Sequence, residues 1–143
     1  MLLTAIRTGF IKALKTAAAL LKIVLPVFAV VVVIRHSPVM PFLQDLFAPA
    51  MKFFGLPGEA IIPIITGIFT DEYGTIAVMN PLALGSTEIT TVAMIVLVAH
   101  TIPVEGAIAQ KIGLNVARFT AYRLAMAIVV GLLTGWLGGV FAW

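Results

Sequence analysis

The chain has 143 residues, 62% hydrophobic and 10% charged, with a net charge of +3 and no cysteine. Soluble domains carry about 25% charged residues, so with a mean hydropathy of +1.16 this is the composition of a small integral membrane protein. Disulfides, thiolate metal sites and a cysteine nucleophile are excluded, and the length suits one membrane domain, 1–143, with no separate soluble domain.

In chain order, residues 1–16 predict an amphipathic interfacial helix. Thr4, Arg7, Thr8, Lys12 and Lys15 share one face, and Leu3, Ile6, Phe10 and Leu14 the other. Lys22 extends the cationic stripe and can snorkel to the headgroups. A secretory signal is rejected, because Arg35-His36 and not a small-residue cleavage site follows the apolar run. Residues 17–36 predict a transmembrane helix kinked at Pro26. Ser37 caps a helix starting at Pro38, and 37–54 reads as interfacial, with Leu43, Phe47, Ala50 and Phe54 on one stripe and Gln44, Asp45 and Lys52 on another.

Residues 55–117 form an interrupted core. Pro57 to Thr70 provides about 21 Å of helix, too short for a hydrocarbon layer of about 30 Å. Thr70-Asp71-Glu72-Tyr73-Gly74 breaks it, and Thr75 to Leu84 is shorter still, the pattern of a re-entrant hairpin. Gly85-Ser86-Thr87-Glu88 makes a turn, Ile89 to Ile102 crosses with help from its neighbours, and Pro103-Val104-Glu105-Gly106 breaks again. The transmembrane helix 118–143 carries Gly131, Gly135 and Gly139 at four-residue spacing, which permits close helix approach either within the chain or between chains. Trp136 and Trp143 suit the far interface. Arg7, Lys12 and Lys15 before the first span, with Arg118 and Arg123 ahead of the apolar part of the last (about Leu124 to Trp143), put the N-terminus in the cytoplasm by the positive-inside rule. This clustering of basic residues points to membrane orientation, not nucleic-acid binding.

Two segments 46 residues apart look alike: Leu56-Pro57-Gly58-Glu59 through Gly67, and Ile102-Pro103-Val104-Glu105 through Gly113. With one crossing between them they enter the membrane from opposite sides. Inverted-repeat transporters place their sites where such broken elements meet. The plainer alternative is two proline-initiated helices, each with an acid in its first turn.

Ionised groups at bilayer depth are costly, so Glu59, Glu88, Glu105 and His100 face protein, water or the interface. Glu59 and Glu105 either line a site for a solute or proton or merely complement helix N-termini. His100 is a proton carrier or a hydrogen-bonded structural residue. Asp71-Glu72 at the hairpin tip is solvated at the surface, or functional if the tip lies at depth. Thr66, Asn80, Ser86, Thr87, Thr90 and Gln110 add uncharged hydrogen-bonding groups, suited to a neutral polar solute or to interhelical contacts. No HExxH motif or phosphate loop is present, and the only aspartates are Asp45 and Asp71, so an enzyme is not expected.

The run Gly55-Leu-Pro-Gly-Glu-Ala, the segment Pro63-Ile-Ile-Thr-Gly67 and the block His100-Thr-Ile-Pro-Val-Glu-Gly, with Lys111-Ile-Gly113 after it, resemble the nucleoside-recognition, or gate, domain family. The last block is similar to the small spore-maturation-type membrane proteins. The resemblance covers about residues 20–142. It implies an all-α integral membrane fold with broken, re-entrant hairpins in an inverted-repeat arrangement, and a transport-like role in a bacterial inner membrane. Related gates occur in concentrative nucleoside transporters and ferrous-iron transporters; the lack of cysteine here disfavours iron. The chain is far shorter than a nucleoside transporter, so a complete path calls for a homo-oligomer or a related gate-family subunit. The expected function is binding and translocation of a small polar solute, without cofactor or metal. The alternative is a non-transporting membrane scaffold.

Overall fold

The computed structural model describes residues 2–140; the side chains of 2–5, 16, 19, 20, 23, 24, 27, 28, 31, 35, 139 and 140 fall outside that description, as do Trp143 and the face of Gly139. Every element among the described residues is helical. The first is a single helix, α1 (Leu2–Arg35), with Pro26 inside it. It replaces the expected division at residue 16, because Thr16-Ala-Ala-Ala-Leu20 contains good helix formers and no breaker. At 1.5 Å per residue α1 is about 51 Å long, well beyond a hydrocarbon core of about 30 Å.

The turn after α1 is built by Ser37, whose hydroxyl donates to the Ile34 carbonyl at 2.7 Å and accepts from the Val39 N–H at 3.3 Å. Helix α2 (Val39–Lys52) follows, one residue later than the expected start. It ends at Gly55, which takes φ +66°. Gly55 N–H donates to Lys52 O and Leu56 N–H to Met51 O, so the glycine closes a Schellman cap and Leu56 is driven into the core. Gly113 (φ +83°) ends the helix Ile102–Lys111 in the same way, its N–H donating to Gln110 O and that of Leu114 to Ala109 O.

A 3-10 turn (Gly58–Ala60) leads into α3 (Ile61–Phe69), which pairs with α4 (Glu72–Met79). The short–break–short pattern is present, but its second arm starts and ends earlier than expected. Asp71 caps α4 by accepting from Gly74 N–H at 2.7 Å, and Pro81 follows close after its end. Helix α5 (Ser86–Ala99) begins where Glu88 accepts from Gly85 N–H at 2.6 Å; glycine has no side chain to return the bond, so half of a capping box is made. Helix α6 (Ile102–Lys111) precedes α7 (Val116–Val140), which Asn115 caps by accepting from Arg118 N–H at 3.0 Å.

Helix α5 is the axis of the fold. Its Val92, Ile95, Val96 and Ala99 meet Met51, Leu56, Ala60 and Ile64 from α2, the 3-10 turn and α3, and Ala127 from α7. A smaller cluster of Met40, Val78 and Leu82 lies beneath the α1–α2 turn. Ser86–Lys111, which comprises α5, a two-residue break and α6, and Val116–Gly138 are each long and apolar enough to cross a bilayer, yet only 33% and 11% of an 18-residue apolar window in each is buried in protein. A core helix of a soluble domain would be mostly covered. Here the apolar surface is left for lipid, and the described residues form an all-helical fold consistent with a membrane protein.

The glycines of α7 resolve the choice between their two readings at the described positions. A Cβ on Gly131 would lie 2.6 Å from Ile95 Cγ1, and one on Gly135 2.1 Å from the Phe54 carbonyl oxygen. Both therefore serve contact within the chain.

Candidate functional site

Polar groups converge at the two ends of the α5–α7 pair. The first convergence is the break between α5 and α6. At the end of α5 the carbonyls lose their helical partners, and side chains take them over. Arg123 Nε donates to Val98 O at 2.8 Å, and His100 Nδ1 lies 3.0 Å from Leu97 O. Thr101 then adopts a left-handed conformation (φ +47°, ψ +34°), with its N–H on Gly67 O at 3.1 Å. That conformation is strained for a β-branched residue, and such strain collects at functional sites. Expected from this, Thr101→Gly raises stability by about 1 kcal/mol, read as a higher thermal midpoint in detergent; a lower midpoint contradicts the strain.

Around this break the ionisable groups interlock. Glu105 is paired with Arg123 through Oε2 and Nη1. His100 Nε2 is 3.2 Å from Glu72 Oε1 and 3.6 Å from Glu105 Oε1. Arg123 also packs over the Phe119 ring, 5.7 Å from its centroid. Side-chain exposure rises from 14% at Arg123 to 24% at His100, 32% at Glu105 and 46% at Glu72, so the cluster opens on the α4 side. Arg123 is the eighth residue of α7, about 10 Å along it. It thus lies inside α7 as a partner of Glu105, where the sequence suggested a charge flanking the helix.

The second convergence is an open cleft of about 320 Å³ lined by Ser86, Thr87, Thr90, Thr134, Leu137 and Gly138. An adjoining hollow shares Ser86, Thr87 and Gly138 and adds Glu88 and Gly135. Thr90 and Thr134 spend their hydroxyl protons on Ser86 O and Val130 O, keeping acceptor capacity. The volume lies within the range of small-molecule sites, about 300–1,000 Å³. From Arg123 to Gly138 is fifteen residues of α7, about 22 Å.

The ten candidate residues thus fall into groups. His100 and Glu105 meet in the cluster, while Ser86, Thr87 and Thr90 line the cleft and Glu88 the adjoining hollow. Glu59 accepts from Gln44 Nε2 at 2.8 Å, so the two glutamates expected as a pair share no partner. Thr66 donates to Ile62 O at 2.8 Å within α3, while Asn80 and Gln110 are exposed at the end of α4 and on α6. Sequence reasoning missed Arg123 and Thr134, and left Glu72 undecided. The signal for Arg123 was present: an arginine inside an apolar span is normally paired.

Interlocked charges at a helix break, carried by apolar spans, define a membrane protein of the broken-helix kind. The chain belongs to the gate family: the family model described as nucleoside recognition matches residues 17–117. It is 32% identical over 133 residues to the uncharacterized membrane protein YvoD of Bacillus subtilis (strain 168). That match covers 92% of this chain and 43% of the relative, so the chain spans less than half of that protein's length. No solved structure matches it.

Proposed function

We propose that the chain is a gate-family transport protein, or one subunit of a transporter, in a bacterial cytoplasmic membrane with its N-terminus inside. The observation that carries this reading is the charged cluster at the α5–α6 break. Ionisable groups at membrane depth are expensive and mark ion or substrate pathways, and irregular backbone there is tolerated only inside protein or along a cavity. Helices α3 and α4, with nine and eight residues, reach about 14 and 12 Å. Each is too short to cross alone, which supports a re-entrant hairpin opposed by α6 in an inverted arrangement.

The solute is small, polar and uncharged. The cleft between α5 and α7 supports this, since four of its six lining residues carry a hydroxyl and none a charge, on a lining surface that is otherwise mostly apolar. A nucleoside fits the family's description. A full path requires more than one such unit, either a second copy or a related subunit. The length of the relative supports this, because the 57% of it outside the match (100 − 43) leaves room for another domain of this size.

Equilibrium dialysis of radiolabelled uridine against the protein in nanodiscs tests the reading. Thr87→Val with Thr134→Val keeps volume and removes both hydroxyls. At about 0.5–1.5 kcal/mol per hydrogen bond, the double variant should bind about tenfold more weakly. If neither uridine, adenosine nor a hexose binds the folded wild type, the scaffold reading replaces this one.

A further inference from the structure

The arrangement around His100 requires a proton that the ordinary charges do not supply. A backbone carbonyl can only accept, so Nδ1, facing Leu97 O at 3.0 Å, carries a hydrogen. That leaves Nε2 between two carboxylate oxygens, Glu72 Oε1 at 3.2 Å and Glu105 Oε1 at 3.6 Å. With a bare lone pair on Nε2, it would face two carboxylate oxygens with no hydrogen between them, since the nearby Thr101 hydroxyl, 3.5 Å from Glu105 Oε1, donates to that carboxylate alone. One further proton, on Nε2 or on either carboxyl, turns that repulsion into attraction. The charge count agrees: Glu72, Glu105 and Arg123 sum to −1 + −1 + 1 = −1, and the added proton brings the cluster to zero.

We infer that the α5–α6 break is a binding site for one exchangeable proton, held among His100, Glu72 and Glu105, which fastens the α4 arm of the hairpin to the broken helix. The other groups nearby are committed elsewhere. Arg123 is bound to Glu105 and to Val98 O. Asp71 caps α4 through Gly74 N–H. Helix α3 contains no titratable side chain. Tyr73 and Tyr122 are more than half exposed, and Lys111 and Arg118 are exposed. Glu72, the most open member, gives the proton a way in and out. On its release the His100–Glu72 contact turns from attractive to repulsive. The α4 arm is then held to the break only by apolar packing and by α3, whose Gly67 carbonyl binds Thr101 N–H.

The use of this proton as a coupling ion rests on the transport reading, whereas its binding does not. Spin labels at the exposed positions Tyr73 on α4 and Val104 on α6, read by electron–electron resonance in nanodiscs, test the binding. The short-distance population should dominate in acidic buffer, where the proton is held, and decline in alkaline buffer, where it is released. Both His100→Gln and the more exposed Glu72→Gln should lose that pH response. An unchanged distance in the wild type, or the same pH response in both variants, overturns the proton site. Uridine dialysis on the same samples separates the two ideas: intact binding without a pH response removes the proton site alone, and a pH response without solute binding removes the transport role alone.

Discussion

Replacing Arg123 with Met should destabilise the protein by about 3 kcal/mol, because it strips three things at once. Glu105 loses its counter-charge in a site only 32% exposed, and Arg123 itself is 14% exposed. The Val98 carbonyl, already without its helical partner, loses the Nε donor, and Phe119 loses the guanidinium packed on it. Removing one member of a buried pair costs more than removing both, since the survivor is left desolvated and unpaired. Glu105→Gln combined with Arg123→Met should therefore be less destabilised than the sum of the single changes, with a coupling of about 1–3 kcal/mol. Thermal unfolding of the four proteins in one detergent gives the cycle. Simple additivity would mean that the pair contributes nothing to the break.

Alanine at Gly135 or Gly58 should be nearly as damaging, by about 1–3 kcal/mol or more. The added Cβ would stand 2.1 Å from the Phe54 oxygen in one case and 2.2 Å from the Gln44 oxygen in the other. These are backbone atoms, so no rotamer change relieves the overlap and the elements must part. At Gly135 this lifts α7 from the end of α2; at Gly58 it lifts the 3-10 turn from α2 and pulls Glu59 from Gln44. Gly9→Ala is the control, with nothing within 4 Å of its Cβ and a helix propensity gain of up to about 1 kcal/mol. A Gly135→Ala protein with an unchanged thermal midpoint but a lower oligomeric mass would restore the between-chain reading of that stripe.

Features decided locally or by bulk composition were legible before any tertiary contact was known. The membrane class follows from hydropathy, and the structure agrees because two long apolar stretches remain largely uncovered. Chain breaks were legible at Gly55, Gly85 and Gly113, since a cap is a property of a few neighbouring residues, whereas the break expected at Pro103–Gly106 falls at His100–Thr101 and Pro103 sits in the first turn of α6, where a missing N–H costs nothing. The gathering of Ser86, Thr87, Glu88 and Thr90 was legible for the same reason, as they occupy the first turns of one helix. Helix ends were less exact at α4, where Asp71 captures the start in a segment that also reads as a loop.

The partners, by contrast, depend on contacts between distant segments. Arg123 and Glu105 are 18 residues apart and Arg123 and Val98 are 25 apart. Nothing local ties them, and the arginine satisfies a positive-inside count equally well. Gln44 and Glu59, 15 apart, meet because Gly58 lets the 3-10 turn rest on the backbone of α2. Glu59 and Glu105 look equivalent in sequence, each an acid in the first turn of its helix. They differ in space because α2 offers the first an amide, while α7 offers the second a guanidinium. A glutamate's position along a helix is set by its own segment; the group it meets is set by whichever other segment the hydrophobic core brings against it.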